Sequence, residues 1–550
     1  MKTDWLQITP GAAGFLPDRL SRPLRLQSAR NIRKLESLAN AQRISNWTLM
    51  RRAGRTAFDL LGILWPKARR LTVITGSGNN GGDGCVLAAL AVQAGYSVNL
   101  VQYQGRTEPS EQLQQAQALL NECSAEHLTR IEASGWQAGE EEADVVVDAL
   151  FGTGLARTLT EEASALLRQM KQVRAPVFAL DIPSGLHADT GDCAEEIVEA
   201  ERVDMAVKAD ATLTFIAPKL GLFTGKGRHF SGAIFVTDLG LIQQDLDASE
   251  LPDKGVETLC TRFLSSHIPQ VPAYAHKASK GRVLVLGGSP GMGGAAILAA
   301  EAALVSGSGL VTAAIADGTT LTALLARRPE VMGHVIQRRS DLEALLSNVD
   351  AVVVGPGLAA DETGADRLEQ VLHWANASSA GSARLVLDAG ALRLLASSNP
   401  ALKIPADTVL TPHPGEAAQL LACSTAQIQQ DRQRSAVALA QKWQATVILK
   451  GSGTIVADSR GQLDLCPSGS IALATAGTGD VLTGLVGSLL AMGMEVNAAA
   501  ALATAMHAEA GDRVAALGTV TASSLISSIS ELFMVLQTAN TRSLPLGSLR

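Results

Sequence analysis

The chain has 550 residues, too many for one ordinary hydrophobic core, so two or more domains are expected. Its residues are 47% hydrophobic and 18% charged, a balance that excludes large-scale disorder. A net charge of −7 and only 3% aromatic residues argue against a nucleic-acid surface and against an aromatic platform for bases.

The cysteines and the apolar segments indicate the cellular compartment of the protein. The 6 cysteines are scattered without a Cys-x-x-Cys pair, so the sequence indicates neither a zinc site nor a disulfide framework. No apolar segment of the signal-peptide type lies near the N-terminus, and the most apolar stretch, Val481 to Met494, is shorter than a membrane span. We therefore expect a cytoplasmic protein with no membrane or nucleic-acid partner.

The first half of the chain alternates strand, turn and helix after an N-terminal segment. Residues 1–24 contain Pro10, Pro17 and Pro23 and no clear period, which predicts an irregular extension, and residues 25–63 are predicted to be helical. The alternation that follows is typical of a parallel sheet with helices on both faces. The predicted strands are Leu71–Thr75, Ser97–Val101, Asp144–Ala149, Val177–Asp181, Ala211–Ile216 and Ala233–Val236.

A second α/β series follows a linker, which we place at residues 243–272 because they are polar and contain three prolines. The sequence therefore predicts two three-layer α/β domains, at residues 25–242 and 273–550. From Val481 onward the second domain is mostly helical. Its predicted strands are Arg282–Leu286, Leu310–Ile315, Ala351–Val354, Leu385–Leu387, Val409–Leu410, Thr446–Leu449 and Thr454–Val456.

The turn Gly76-Ser77-Gly78-Asn79-Asn80-Gly81 matches G-x-G-x-x-G between a strand and a helix. A dinucleotide-binding Rossmann domain would carry an acidic residue at the end of the next strand, where this chain has Val101-Gln102-Tyr103. A dehydrogenase is therefore disfavoured. The turn instead predicts a nest of N–H donors with two asparagine amides, suited to phosphates or polar oxygens.

Polar side chains also follow two later strands of the first half. Asp148 precedes a Gly-rich turn, and Asp181 leads into Ile182-Pro183-Ser184-Gly185. Ligands of an open parallel sheet bind beyond the carboxyl ends of its strands, and hard oxygen ligands suit an alkali or alkaline-earth cation. Each aspartate could instead cap its own turn, but three polar strand ends together favour one site.

These motifs resemble the three signatures of the NAD(P)H-hydrate epimerase domain over roughly residues 25–240. The resemblance implies a potassium ion held by Asn80, Asp148 and Ser184, and it implies that Asp181 contacts the substrate as the best candidate acid/base. Lys208 has a weaker claim, since a structural salt bridge would serve it as well. The remaining implied contacts to the hydrated dinucleotide are Asn79, Asn80, Gly81, Gly82, Asp83, Gly152, Thr153, Gly154, Leu155, Ala156, Arg157 and Thr158.

The stretch from Ala474 to Leu482 is the most informative part of the second half. Small residues and two glycines precede an apolar helix, so the loop lies at a helix N-terminus, which favours an anion. Asp480 at this turn either caps the helix or takes a proton from a hydroxyl that attacks a phosphoryl group. No Walker A sequence is present, so any nucleotide chemistry is of another type.

Thr478-Gly479-Asp480 resembles the anion hole and catalytic base of the ribokinase-like superfamily. Four segments precede it in the second half: Gly287-Gly288-Ser289, Val354-Gly355-Pro356-Gly357-Leu358, Thr411-Pro412-His413-Pro414-Gly415-Glu416 and Leu449-Lys450-Gly451-Ser452-Gly453-Thr454. Together with Thr478-Gly479-Asp480, these segments are similar to the ADP/ATP-dependent NAD(P)H-hydrate dehydratase domain of that superfamily. The resemblance implies that Ala295, Gly357, His413 and Asp480 face the hydrated dinucleotide. It also implies that the adenine nucleotide is held by Lys450, Gly451, Ser452, Gly453, Thr454 and Gly479.

The chain departs from this family at two places. It has Asp388-Ala389-Gly390 where the family often has Asp-Ala-Asp, which puts a metal contact there in doubt. It also has Ser470-Ile471-Ala472 where the family usually has Asn-Pro-Gly.

Together the two resemblances predict a bifunctional NAD(P)H-hydrate repair enzyme. The first domain would exchange the R and S epimers of NADHX and NADPHX. The second would dehydrate the S form at the expense of ADP, giving AMP and phosphate. K⁺ in the epimerase domain, Mg²⁺ and ADP are the implied cofactors, and a homo-oligomer is expected. The alternative is a ribokinase-like vitamin or sugar kinase fused to a non-catalytic dinucleotide-binding domain.

Overall fold

The computed structural model describes residues 5–8, 23–41, 43–105, 108–139, 143–155, 159–198, 201–241, 251–269, 271, 274–378, 383–398 and 402–542. The chain divides into two compact units, which we call the first and second units. The first consists of Met1–Leu20 with Arg25–Val256, and the second of Ser21–Leu24 with Glu257–Arg550.

The first unit is built on an eight-stranded sheet in the order β1-β11-β10-β7-β6-β3-β4-β5. All of these strands run parallel except β1, which pairs antiparallel with β11. The unit has three further strands, β2, β8 and β9, which lie outside this sheet. In chain order the strands are β1 (Leu6–Gln7), β2 (Arg25–Leu26), β3 (Arg70–Thr75), β4 (Ser97–Gln102), β5 (Leu128–Glu132), β6 (Val145–Ala149), β7 (Val177–Leu180), β8 (Glu195–Val198), β9 (Glu201–Asp204), β10 (Ala211–Phe215) and β11 (Ala233–Thr237). The helices are α1 (Ala29–Ala41), α2 (Asn46–Leu64), α3 (Asn79–Gln93), α4 (Glu111–Asn121), α5 (Glu161–Met170) and α6 (Gly227–Phe230).

Helices cover both faces of this sheet, as the side-chain alternation along its strands requires. Val73 of β3 lies in a core cluster with residues of α1, α2, α3 and α4. The next residue, Ile74, lies in a separate cluster with Leu166 and Met170 of α5. Strands buried on both faces read as continuous apolar runs, which is why the sequence predicts them well.

Several elements of the first unit differ from the sequence predictions. The predicted extension contributes strand β1, since Leu6 and Gln7 pair with Val236 and Phe235. The predicted helical region 25–63 consists of the short strand β2 and two helices. Strand β5 was not predicted, because as an edge strand it exposes Thr129, Arg130 and Glu132 and lacks an apolar run. The antiparallel pair β8 and β9 was also not predicted.

The second unit has a larger mixed sheet, in which ten strands follow the order β15-β14-β13-β16-β17-β18-β19-β20-β21-β12. Strands β13 to β19 are parallel, and β20 is antiparallel to both β19 and β21. The strands are β12 (Val256–Thr258), β13 (Arg282–Leu286), β14 (Leu310–Ile315), β15 (Met332–Val335), β16 (Ala351–Val354), β17 (Arg384–Leu387), β18 (Thr408–Leu410), β19 (Thr446–Leu449), β20 (Ile455–Ala457) and β21 (Leu463–Leu465).

Helices pack on this sheet in the same alternating manner. Val283 and Val353 lie in one core cluster with residues of α8, α16, α17 and α18, whereas Leu284 and Val352 are buried outside that cluster. The helices are α7 (Thr261–Leu264), α8 (Gly293–Val305), α9 (Gly318–Arg327), α10 (Arg339–Leu346), α11 (Glu362–Ala377), α12 (Ala389–Ser397), α13 (Pro414–Leu421), α14 (Thr425–Gln430), α15 (Arg432–Trp443), α16 (Thr478–Ala491), α17 (Val496–Leu517) and α18 (Ala522–Arg542).

The predicted fold class, two α/β domains with mainly parallel sheets, is confirmed. The segment 243–272, however, is not a plain linker in its described part. Strand β12 pairs with β21 through Glu257 and Thr258, and α7 follows it. Among the described helices, none alone is long and apolar enough to cross a membrane; only the bent pair Val496–Leu517 and Ala522–Thr538 passes on length and composition.

Candidate active sites

A cavity of ≈430 Å³, here called the first-unit cavity, opens beyond the carboxyl ends of β3, β6, β7 and β10. This is where an open parallel sheet binds its ligands. Of the predicted substrate contacts, the structure brings the following to its wall: Asn79, Asn80, Asp83, Gly152, Thr153, Gly154, Leu155 and Asp181. The predicted contacts Ala156, Arg157 and Thr158 lie outside the described residues.

The Gly-rich turn after β3 is shorter than predicted, because α3 begins at Asn79, within the predicted turn of residues 76–81. Close packing explains its glycines. A Cβ atom on Gly81 would lie 1.9 Å from the Gly76 carbonyl oxygen, and one on Gly82 would lie 2.4 Å from Cε of Met50. Gly81 and Gly82 therefore let α3 approach the strand end and α2, while Asn79, Asn80 and Asp83 of the same helix reach the cavity.

Asp181 is held by a buried lysine that the sequence analysis did not single out. Lys219 Nζ forms an ion pair with Asp181 Oδ1 and donates to the Phe215 carbonyl at 2.7 Å. The Lys219 side chain is 1% exposed and that of Asp181 13% exposed. Lys208, the lysine considered from sequence, is exposed. The cation placed beside the candidate acid/base is thus Lys219.

Among the non-glycine residues at this wall, Asp181, Ile216 and Leu239 adopt left-handed backbone conformations. Asp181 has φ +64°, and Ile216 has φ +69°. Left-handed backbone is unfavourable for side chains with a Cβ and most of all for a β-branched residue such as isoleucine. Asp181 and Ile216 follow the last residue of a strand, β7 and β10, and both line the first-unit cavity. Such strain concentrates at functional sites.

Two further carboxyl groups share the cavity with Asp181. Asp83, on the second turn of α3, is 8% exposed, and Glu36 extends from α1. Burial, followed by repulsion from Asp181 and Glu36, holds the pKa of Asp83 well above its usual value. Burial and the charge of Asp181 likewise raise the pKa of Glu36. Glu36 was missed from sequence because it lies on an ordinary amphipathic helix with no motif around it.

The three residues predicted to hold a cation form one buried group. Ser184 Oγ donates to Asp148 Oδ1 at 2.6 Å, and Ser184 N donates to Asp148 Oδ2 at 2.8 Å. Asn80 Nδ2 donates to the carbonyls of Phe151 and Leu180 at 2.9 and 3.1 Å. Burial raises the pKa of Asp148 to about 6. The buried Oδ1 of Asn80 has no hydrogen-bond partner among the described residues.

In the second unit, Asp480 lies on the first turn of α16 in a strongly charged environment. Burial and the neighbouring Asp388 raise the pKa of Asp480 to about 7, against the opposing effect of Lys450. Lys450 Nζ pairs with Asp388 Oδ1 at 2.8 Å, and Thr483 Oγ1 donates to Asp388 Oδ2 at 2.8 Å. Burial alone would lower the pKa of Lys450. The nearby carboxylates of Asp388, Glu416 and Asp480 outweigh burial, so the pKa of Lys450 is raised.

The start of α16 is shaped as an anion site requires. Gly477 precedes the helix with φ +87°, and the helix begins at Thr478. His507 Nε2 lies 2.8 Å from the Thr478 carbonyl oxygen, so this nitrogen carries the proton. Burial lowers the pKa of His507 to about 4. A Cβ on Gly479 would lie 3.3 Å from Lys450 Nζ, which places the helix start beside that lysine.

The turn from Lys450 to Thr454 is organised by a second cation missed from sequence. Arg432 is 1% exposed, and its Nη2 donates to the carbonyls of Leu449, Lys450 and Gly453 at 3.2, 3.2 and 3.5 Å. No carboxylate among the described residues pairs with it, and burial lowers its pKa to about 10. Arg432 therefore fixes the backbone of the turn through its carbonyl oxygens, while the N–H of Lys450 donates to the Pro412 carbonyl at 2.9 Å.

The remaining predicted substrate contacts of the second unit are Ala295 and Gly357, which pack closely together, and His413, which caps a helix. Gly357, with φ +66°, lies against α8, where its Cβ would be 3.2 Å from that of Ala295. His413 caps α13: its Nδ1 accepts from Gly415 N at 3.0 Å, and Glu416 Oε2 accepts from His413 N at 2.9 Å. The imidazole is nevertheless 51% exposed, and its other nitrogen, Nε2, lies 3.4 Å from Glu416 Oε1.

The departure at Gly390 has a steric basis. A Cβ at this position would lie 2.0 Å from the Leu358 carbonyl oxygen, so this backbone has no space for a second carboxylate. The other departure, Ser470-Ile471-Ala472, overlaps a short 3₁₀ turn at Ile471–Leu473, and the Ile471 side chain is 90% exposed.

Both halves of the chain match family models. Residues 46–221 match the model described as YjeF-related protein N-terminus, and residues 283–532 match that described as NAD(P)H-hydrate dehydratase. Glu36 lies outside both matched ranges. A crystal structure of the ADP/ATP-dependent NAD(P)H-hydrate dehydratase from Bacillus subtilis, co-crystallised with ATP and Mg²⁺, is 26% identical and covers 50% of this chain and 97% of that chain, with a TM-score of 0.45.

Relatives align with the chain over most of its length. A bifunctional NAD(P)H-hydrate repair enzyme of Coxiella burnetii is 38% identical over 498 residues, which cover 90% of this chain and 95% of that protein. Its counterpart in Escherichia coli K12 is 37% identical over 504 residues, covering 90% and 91%. Since both halves match their models in tandem and the relatives align nearly end to end, the chain belongs to the family of bifunctional NAD(P)H-hydrate repair enzymes.

Proposed function

We propose that the chain repairs hydrated nicotinamide dinucleotides in two steps. The first unit exchanges the R and S epimers of NADHX and NADPHX, and the second dehydrates the S epimer at the expense of ADP, giving AMP and phosphate. We assign the epimerase to residues 25–242 and the dehydratase to residues 273–550. The observation that carries the proposal is Asp480: a carboxyl with a pKa of about 7 at a helix start beside Lys450.

In the second unit Asp480 takes the proton of the substrate hydroxyl as that oxygen attacks the β-phosphoryl group of ADP. N–H groups at the start of α16 and the ammonium of Lys450 stabilise the negative charge that develops on the phosphoryl oxygens. AMP leaves with the electron pair of the broken P–O bond. Phosphate is a better leaving group than hydroxide, so loss of phosphate and of a neighbouring proton then restores the reduced dinucleotide.

Mg²⁺ is usually held by one or two carboxylates together with substrate phosphates. The residues fit such a shared site better than an all-protein one, since the described residues contain no group of three or more His, Cys, Asp or Glu placed to hold a metal. Asp480 is the carboxylate best placed to share the ion with a nucleotide. When bound, Mg²⁺ neutralises phosphate charge.

K⁺ fits the first unit. The partnerless buried Asn80 Oδ1 and the fully buried Asp148 carboxylate, hydrogen-bonded to Ser184, are hard oxygen ligands of the type that such cations prefer. When bound, the ion offsets the negative charge of Asp148. In the same cavity Asp181 contacts the hydrate and exchanges protons with it. Action in the cytoplasm and assembly as a homo-oligomer remain predictions.

The purified chain should be incubated with mixed epimers of NADHX, with ADP, with ATP or with neither nucleotide. We expect both epimers to be consumed with ADP and to equilibrate without it. Asp181→Ala should leave the R epimer behind while the S epimer is still consumed. A stable phosphoester product would instead identify a vitamin or sugar kinase, and consumption of the S epimer alone by the unmodified chain would show that the first unit does not catalyse epimerisation.

A further inference from the structure

The first-unit cavity contains carboxyl groups of two kinds. Asp181 forms an ion pair with the buried ammonium of Lys219. Asp83 and Glu36 line the same cavity, and the carboxyl group of neither forms a hydrogen bond or ion pair with a described residue. One cavity thus combines a carboxylate paired with a cation and two carboxyls that have no such partner. Carboxyl groups in such different environments are candidates for separate acid and base roles.

Asp83 is the more deeply placed of the unpaired carboxyls. It is more than nine-tenths buried, and it reaches the cavity from the second turn of α3. The charged groups facing it come from three other parts of the unit: Glu36 on α1, Asp181 after β7, and Lys219 after β10. Burial and the two carboxylates outweigh the lysine, so the pKa of Asp83 lies well above its usual value.

We propose that Asp83 is the proton donor of epimerisation and that Asp181, held by Lys219, is the proton acceptor on the opposite face of the substrate ring. This inference rests on the proposed epimerase function of the first unit and gives it a direction of proton flow. Asp83 touches the leaving hydroxyl and Asp181 the returning water, so both are catalytic residues. Glu36, beside Asp83, and Lys219, paired with Asp181, are positioning residues.

The carbon that carries the hydroxyl is bonded to the ring nitrogen. Asp83 gives its proton to the hydroxyl, the C–O bond breaks, and water leaves while the nitrogen lone pair forms a C=N bond. A second water adds to that carbon from the other face and gives a proton to Asp181, and the electron pair of the C=N bond returns to nitrogen. One turnover moves one proton from Asp83 to Asp181; Asp181 then releases a proton to solvent water and Asp83 takes one up, which restores both groups for the next turnover.

The first test is Asp83→Asn in the full chain, with Asp59→Asn as the matched control. Asp59 lies on α2, is 42% exposed and pairs with Arg55, so the control makes the same chemical change away from the cavity. General acid catalysis contributes about 10²- to 10⁴-fold to a rate, and we expect a loss of that order for Asp83→Asn and none for Asp59→Asn. ADP-dependent dehydration of pure S epimer, catalysed by the second unit, should be unchanged and reports on folding.

The pH dependence separates a chemical role from a structural one. Because the donor must be protonated, the epimerisation rate should fall as the pH rises through the pKa of Asp83, and Asp83→Asn should lack this fall. Glu36→Gln removes a neighbouring carboxylate, so the fall should move to lower pH. Wild-type rates in Asp83→Asn, or a fall that Glu36→Gln leaves in place, would overturn the respective assignment.

Labelled water tests the route of the oxygen. In H₂¹⁸O, each inverted molecule should carry one ¹⁸O, because the departing and returning waters are different molecules. Inverted product that retains ¹⁶O would overturn the proposed exchange of water. Failure of the proposed function is distinguishable from both results, since the unmodified chain would then show no epimerisation above the uncatalysed rate.

Discussion

Asp480→Asn tests the assignment of the general base. At this position asparagine keeps the size and polarity of the side chain but cannot accept the proton of the substrate hydroxyl. General base catalysis contributes about 10²- to 10⁴-fold, which corresponds to ~3–5 kcal/mol of barrier at ~1.4 kcal/mol per factor of ten. We expect the ADP-dependent dehydration rate to fall by that factor, while epimerisation in the first unit continues.

The pH profile makes the test specific. A general base acts in its ionised form, so the dehydration rate should rise with pH through the Asp480 pKa of about 7. His507 cannot cause this rise, since burial lowers its pKa to about 4 and it stays neutral over the assay range. Asp388→Asn removes the carboxylate that raises the pKa of Asp480 and also frees Lys450, so the rise should move to lower pH.

The assay is stopped-time separation of hydrate and reduced dinucleotide at saturating ADP from pH 5.5 to 8.5. A rise near pH 7 that persists in Asp480→Asn would refute the assignment. The free energy of unfolding gives an independent readout. Because the folded state disfavours ionisation of Asp480, the unfolding free energy of the second unit decreases as the pH rises from about 4 to 7. Since the pKa of Asp480 is about 7, this decrease in unfolding free energy is at most ~4 kcal/mol. Asp480→Asn should therefore raise the unfolding free energy of the second unit at pH 8.

Three further predictions concern the second unit. Gly390→Asp, which restores the family's second carboxylate, should lower stability by roughly 1–3 kcal/mol through collision with the Leu358 carbonyl, without increasing Mg²⁺ affinity; a gain in affinity measured by calorimetry would contradict the steric account. Arg432→Gln should raise the KM for ADP far more than the KM for the hydrate, with Arg432→Lys as the control that keeps the charge; equal changes in both KM values would argue for a general loss of structure. His413→Ala should cost about 1 kcal/mol as a lost helix cap and also raise the KM for the hydrate, and His413→Asn should restore the cap in thermal unfolding but not the KM.

The sequence predicted most of the fold wherever the physical signal was local. Buried parallel strands such as Val145–Ala149 and Ala351–Val354 are apolar on both faces, so their runs were recognised within one or two residues. Edge strands such as Met332–Val335 alternate exposed and half-buried positions and carry no such run, so they were missed. The same reason applies to Leu128–Glu132 at the edge of the first sheet.

The candidate sites were predicted where glycines and aspartates cluster in motifs, as at Asp181 and Asp480. The buried cations beside Asp181 and beside the Lys450 turn could not be predicted in this way. Lys219 lies 38 residues beyond Asp181, and Arg432 lies 18 residues before Lys450, each on a segment with no unusual composition. Their roles depend on burial and on which strand ends become neighbours, and both are properties of the folded sheet.

The left-handed backbone at Asp181 has a consequence for engineering. Glycine would relieve that strain, but Asp181→Gly would also leave the buried ammonium of Lys219 without its carboxylate, a loss of roughly 3–5 kcal/mol against roughly 1–3 kcal/mol of relief. At Ile216, which is 3% exposed, the relief is likewise outweighed by the loss of a buried side chain. A thermostable variant of this enzyme is therefore best sought with positions 181 and 216 held fixed, because glycine at either position costs more stability than it returns.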